Sequence, residues 1–259
     1  MQIGMMNDPR CNVTNEARWA ASHGLDFLDL TIEGPGADLG QIDQAALHTI
    51  IAETGLGIVG HTAWYLPFAS PIARVRQAAI ASAAETFEVF AALQACYVNV
   101  HIGSTPALFS RADCLHWNGE SFAYLAEQAA PYGLQVMVEH PPSSYFSLDD
   151  IVTILNADPR LRFHLDIGHA HVAGFTLDVV LDRLGSRLAH VHLSDNRGRH
   201  DDHIPLGVGT IDWPQVIAML QQSGYDATIT LEVFSNDRDY LLLSVNKVRQ
   251  WWADAAVAQ

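Results

Sequence analysis

Short runs of apolar, often β-branched residues alternate along the whole chain with longer stretches whose apolar residues recur every three or four positions. Repeated βα units produce this rhythm, because a parallel strand is buried on both faces while its return helix buries one stripe. Eight strands are expected, at Gln2 to Met6, Asp26 to Ile32, Gly57 to His61, Tyr97 to His101, Leu134 to Glu139, Arg162 to Asp166, Ala189 to Leu193 and Ala227 to Glu232. Between them, Ile72 to Leu93 reads as one helical segment with Arg74, Arg76, Glu85 and Glu88 on its polar face. Asn15 or Thr14 is placed to cap the first helix, and Ser147 with Asp150 three residues later has the spacing of a capping box. Residues 173–175 and 205–209 read as loops with a shape of their own.

Eight such units in 259 residues fit a (β/α)₈ TIM barrel folded as a single domain, 1–259, and no linker or composition shift divides the chain. An open doubly wound sheet would give the same alternation. Its nucleotide-binding form carries a Gly-rich turn after the first strand, and Met5-Met6-Asn7-Asp8-Pro9 contains none.

The ends of the third to eighth strands carry His61, His101, Glu139, Asp166, His192 and Glu232, each after a mostly apolar run. With 13 His and 29 acidic residues in the chain, chance placement at all six ends is on the order of two in a hundred thousand, which favours a site at the catalytic mouth of a barrel. Carboxylate oxygen and imidazole nitrogen converging in a partly dry cavity are ordinary ligands of Zn²⁺, Mn²⁺ or Co²⁺. Carboxylates crowded together repel one another and take up protons, so a cation is the simplest way to keep them ionised. His169 follows Asp166 closely, and Asp201 with His203 lies one short loop beyond the seventh strand, so these join the candidate ligands. Strand alternation sends His164 and His190 to the inward face below Asp166 and His192, where they suit a supporting role, as does His140. His23, His48, His116 and His200 read as surface residues.

A net charge of −15 argues against broad adhesion to phosphate backbones or anionic membranes, so nucleic acid is not the expected partner. No segment reaches the ~18 uninterrupted apolar residues of a membrane span, and the N-terminus lacks a basic leader, so a cytoplasmic protein is expected. Cys11, Cys96 and Cys114 are odd in number and widely spaced, as reduced structural thiols would be. Trp64, Tyr65, Phe68 and Phe109 follow the third and fourth strands, either lining a pocket or packing under a loop.

VNVHIGS, VMVEHPP, FHLDIGHAHVAG, HVHLSDNRGRHDDHIPLGVGTIDW and TLEVF resemble the xylose isomerase-like barrel superfamily, over the stretch from His61 to Glu232. In its ketose 3-epimerase branch, the resemblance implies one metal held by Glu139, Asp166, His192 and Glu232. The two glutamates would double as acid and base around a metal-stabilised enediolate, and His169 and Arg197 would contact substrate oxygens; Trp64, from its place after the third strand, is the aromatic candidate for substrate binding. The substrate class implied is a small carbohydrate or sugar phosphate. In the endonuclease IV branch, a zinc phosphoesterase or apurinic-site nuclease, three zinc ions would use His61, His101, Glu139, Asp166, His169, His192, Asp201, His203 and Glu232. Every one is present. The resemblance thus implies one to three divalent ions per chain, and a homo-oligomer by family habit. Against the nuclease branch stand the acidic balance and the single lysine, Lys247, and the isomerase or epimerase reading leads.

Overall fold

In the computed structural model, which describes residues 1–257, eight parallel strands close on themselves in sequence order, with β8 paired to β1. They are β1 (Gln2–Met6), β2 (Phe27–Ile32), β3 (Gly57–Thr62), β4 (Tyr97–His101), β5 (Gln135–Glu139), β6 (Arg162–Asp166), β7 (Leu188–Leu193) and β8 (Thr228–Leu231). Closure removes every sheet edge and settles the open-sheet alternative. The strand boundaries expected from the sequence lie within one residue of those observed. Glu232 falls just beyond β8, but its N–H still donates to Leu193 O at 3.0 Å, so the ladder fixes its backbone.

The outer layer consists of α1 (Val13–Ser22), α2 (Gln44–Thr54), α3 (Ala73–Ala84), α4 (Phe87–Ala92), α5 (Arg111–Ala129), α6 (Leu148–Leu155), α7 (Ile167–Ala173), α8 (Leu177–Leu184), α9 (Trp213–Gln222) and α10 (Asp239–Val257). The expected helix over 72–93 is two helices, α3 and α4. Thr86 turns its hydroxyl back onto Ala83 O at 2.7 Å, tightening the chain there, and α4 then buries Phe87 and Phe90 completely. Phe90 packs so closely on β3 that a Cβ at Gly60 would lie 2.8 Å from its ring. The first helix is capped by Asn12 and not by Asn15 or Thr14: the Asn12 side chain accepts from Asn15 N–H at 3.2 Å. Ser147 and Asp150 form the expected capping box on α6. Among the described residues, no helix is long and apolar enough to cross a membrane, and Cys11, Cys96 and Cys114 are free thiols.

Most apolar burial lies between the barrel wall and the helices. Inside the barrel, Phe27, Val59 and Met137 are buried together. Each lies two residues before Asp29, His61 or Glu139 and shares its strand face, so these apolar side chains lie beneath the polar ones.

The loop from β7 to α9 is organised around the fully buried Asp195. Its carboxylate accepts from the N–H groups of Asn196 (2.9 Å), Gly207 (2.7 Å) and Gly209 (3.0 Å) and from Trp213 Nε1 (2.9 Å). Its backbone pairs with Ile204 in an isolated antiparallel bridge. Gly209 approaches so closely that an added Cβ would lie 2.1 Å from Asp195 Oδ1. Asp201 and His203 ride on this loop. Asp195→Ala strands several buried donors at once and should cost on the order of 3 kcal/mol of stability in urea unfolding. A loss below about 1 kcal/mol would show that the loop holds its shape without that carboxylate.

Candidate metal centre

Strand alternation aims Asp29, His61, Asn99, His101, Glu139, His164, Asp166, His190 and His192 into the upper barrel, and Glu232 joins them at the rim. All are buried except His101, which is partly exposed. Asp166 both ends β6 and caps α7: its Oδ1 accepts from His169 N–H at 2.7 Å, which locks the rotamer and leaves the buried Oδ2 without a hydrogen-bond partner. The same cap sets His169 on the first turn of α7, where Nδ1 donates to His140 O at 2.8 Å and Nε2 lies 3.0 Å from Asp201 Oδ2.

The candidates fall into three adjoining groups. Ligand atoms of Glu139, Asp166 and His192 converge within 4.8 Å of one another, and Glu232 Oε2 lies 3.1 Å from His192 Nδ1. His61, His101 and Glu139 form a second such convergence, with His101 Nε2 3.0 Å from Glu139 Oε2. Asp201 Oδ2 links His169 Nε2 at 3.0 Å to His203 Nε2 at 2.8 Å in a third. His203 takes a left-handed backbone conformation, φ 47°, uncommon for a side chain of its size, while ring and backbone are held by Asp201 and Phe234.

Burial and mutual repulsion make this assembly costly without a cation. Burial pushes the Asp166 carboxyl up to about 7, with Glu232, Glu139 and Asp201 adding to the push against the opposing pull of His169. Burial works against the charge of Glu139, yet His101, His164 and His169 hold it well below the usual carboxylate range. Asp29 is likewise held down, against its burial, by His190, His192 and His61. His169 and His192 are raised well above the ordinary imidazole value because neighbouring carboxylates outweigh burial, and His203 rises to about 9 for the same reason. Burial pulls His164 well below the ordinary imidazole value, and neither of its nitrogens has a hydrogen-bonding partner. Protons therefore do the balancing that a divalent cation does better. The donor set fits such an ion: oxygen and imidazole nitrogen only, with buried unpartnered atoms at Asp166 Oδ2, Asp201 Oδ1, His101 Nδ1 and His203 Nδ1.

All nine metal candidates from the sequence meet at the mouth. Arg197 and Trp64 do not join them: the Arg197 guanidinium is exposed and lies 3.9 Å from Asp202, and Trp64 is exposed against the edge of Tyr65. Phe68 packs under the loop, fully buried on Phe122. Sequence reasoning missed Asp29 and Asn99. Asp29 accepts from His192 Nε2 at 2.7 Å, and Asn99 Nδ2 donates to Glu139 Oε2 and lies 3.1 Å from His61 Nε2. Their signal is a carboxylate or amide amid the apolar strands FLDLTI and YVNVH.

A family model described as xylose isomerase-like TIM barrel matches residues 17–256. An uncharacterized protein of Methanocaldococcus jannaschii is 31% identical over 170 residues, 61% of this chain and 58% of that relative, so the match spans less than two thirds of its length. The L-ribulose-5-phosphate 3-epimerase UlaE of Salmonella paratyphi A is 21% identical over 250 residues, 90% of this chain and 86% of the relative. Among solved structures, a D-tagatose 3-epimerase-like protein superposes with a TM-score of 0.89 at 23% identity, covering 100% of this chain and 99% of that one. The IolI protein with a bound zinc atom gives 0.79 at 16% identity, over 100% and 97%. At these identities the structural likeness establishes the fold.

The proton balance has a measurable consequence. A group whose folded pKa is raised contributes stability that is complete below its unfolded value and drains away as pH climbs through the folded value. For His203 that window runs from 6.5 to about 9, and the raised His169 and His192 act with the same sign. For Asp166 it runs from 3.8 to about 7. The melting temperature of chelator-treated protein should therefore fall as pH rises from 6.5 to 9, and added zinc should flatten the slope. A flat profile without metal would contradict this charge assignment.

Proposed function

The chain belongs to the xylose isomerase-like TIM barrel family, and on that premise we propose that it is a divalent-metal-dependent epimerase or isomerase of a small sugar or sugar-derived ketone. The observation that carries the reading is the placement of two glutamates, one ending β5 and one just past β8, against one histidine. Glu139 converges with Asp166 on His192, and Glu232 lies 3.1 Å from the same ring. Two of the similar proteins bear 3-epimerase names, which supports this choice among barrel chemistries.

Glu139, Asp166, His192 and Glu232 would hold the ion, which supplies Lewis acidity that draws electron density from a substrate carbonyl. One glutamate, as carboxylate, takes the proton from the carbon beside that carbonyl. The other, entering protonated, returns a proton to the opposite face, and the roles exchange in the reverse direction. The apolar side chains of Phe27, Val59 and Met137 below the site keep bulk water from entering beneath. His169, within the cluster, is assigned to substrate oxygens, and Arg197 and Trp64, exposed outside it, would meet a substrate only from the outer side of the entrance. The acidic balance of the chain and the tying of its only lysine, Lys247, to Leu206 O at 2.8 Å favour a small substrate over a polyanion.

A second reading is favoured by one observation, the third group of His169, Asp201 and His203 beside the other two. Three filled positions would suit metal-assisted phosphoester hydrolysis.

The test is exchange of a carbon-bound proton. Incubated with a panel of ketoses and ketose phosphates in D₂O, the metal-loaded protein should place solvent deuterium beside the carbonyl of at least one. Glu139→Gln and Glu232→Gln should each lower the rate by roughly 10²- to 10⁴-fold. Hydrolysis of a phosphodiester, with no exchange into any ketose, would move the assignment to the second reading.

A further inference from the structure

Asp29 lies outside the family's ligand positions named above, yet four polar side chains converge on it inside the barrel, as many as on Glu139. Its Oδ2 receives His192 Nε2 at 2.7 Å, the Thr230 hydroxyl at 2.9 Å and His190 Nε2 at 3.3 Å. Its Oδ1 faces His61 Nδ1 at 3.4 Å, an ion-pair contact rather than an aligned hydrogen bond, and neither of these buried atoms has a hydrogen-bond partner. A carboxylate accepts hydrogen bonds and does not donate them, so each nitrogen turned toward it carries a proton. The far sides of the two rings agree with this. His192 Nδ1 looks toward Glu232 Oε2 at 3.1 Å and Asp166 Oδ2 at 3.8 Å. His61 Nε2 lies 3.1 Å from Asn99 Nδ2, which is a donor, so that nitrogen presents its lone pair.

We propose that Asp29 is a positioning residue that holds one imidazole from each of two adjoining metal-binding groups in opposite tautomers, Nε2–H in His192 and Nδ1–H in His61. The other nitrogen of His192 then faces Glu232 and Asp166, and that of His61 faces the Asn99 amide within the His61, His101, Glu139 group. The inference rests on the metal reading of the preceding section and adds to it a physical link: one buried carboxylate orients a ligand of the Glu139, Asp166, His192 position and a ligand of the His61, His101, Glu139 position. Histidine ligands are commonly oriented through the nitrogen that does not bind metal. Serving two positions with the two oxygens of one carboxylate makes their geometry interdependent. The Thr230 hydroxyl completes the arrangement by occupying Oδ2 from the strand beside β7.

Asparagine has nearly the same shape as aspartate but accepts on one side only, so it can serve one ring and must donate toward the other. Two readouts on Asp29→Asn test this: imidazole ¹H–¹⁵N spectra of the zinc-loaded protein, and zinc affinity by chelator competition. Wild type should show protonated Nε2 in His192 and protonated Nδ1 in His61. The variant should lose one of these protons and bind zinc roughly 10- to 100-fold more weakly. A variant that is merely less heat-stable, with both protons and the affinity unchanged, overturns the proposal. So does a wild type in which zinc loading removes both protons, since Asp29, His61 and His192 would then be ligands themselves. Should the variant fail to fold, the wild-type spectrum alone decides, because Nε2–H in His61 would contradict the arrangement. A wild type that takes up no zinc sinks the metal reading. The metal-free spectrum then supports the Asp29 pairing if both protons are present and refutes it if either is missing.

Discussion

Five carboxylates and seven imidazoles meet at the mouth of a barrel whose floor is apolar, and the need to balance their charge governs the upper half of the molecule. Asp29, Glu139, Asp166 and Glu232 are all buried, and each lies within reach of at least one buried histidine. Isolated ions so placed would cost several kcal/mol apiece after relaxation. Protons shared with imidazoles meet part of that cost, as the raised Asp166, His169, His192 and His203 show. Divalent cations of matching size would meet it more fully, and such a cluster serves no packing purpose that apolar residues would not serve better.

The fold supplies what this arrangement demands. Closed strands fix the rim residues to within the precision of a hydrogen-bonded ladder, and Glu232, one residue past its strand, stays on that ladder through Leu193. The less regular contributors are fixed by local devices. The cap of α7 turns Asp166 and His169 into one rigid unit, and Asp195 gathers five loop and helix donors to hold the segment carrying Asp201 and His203. Left-handed geometry at His203 is the residue of that constraint.

Much of this was legible in the sequence because two periodicities reinforce each other there. Alternation of strand and helix gives eight units, and the polar residue after each apolar run marks the mouth, where Glu139, Asp166, His192 and Glu232 converge. Helix detail was less accessible. Nothing in the apolar spacing of residues 72–93 distinguishes one long helix from two, since the break depends on Thr86 bending back while Phe87 and Phe90 dock on β3. Asp29 and Asn99 carry no such end-of-strand signal. Both lie within a strand, where burying a polar side chain is the stronger anomaly.

Metal content per chain, measured by elemental mass spectrometry on protein purified without chelators or a metal-binding tag, tests the central claim most directly. The account predicts at least one equivalent of divalent ion, lost on substituting Asp166 or His192, with two or three equivalents if the outer groups also fill. Protein that is folded, active and free of divalent metal would contradict it.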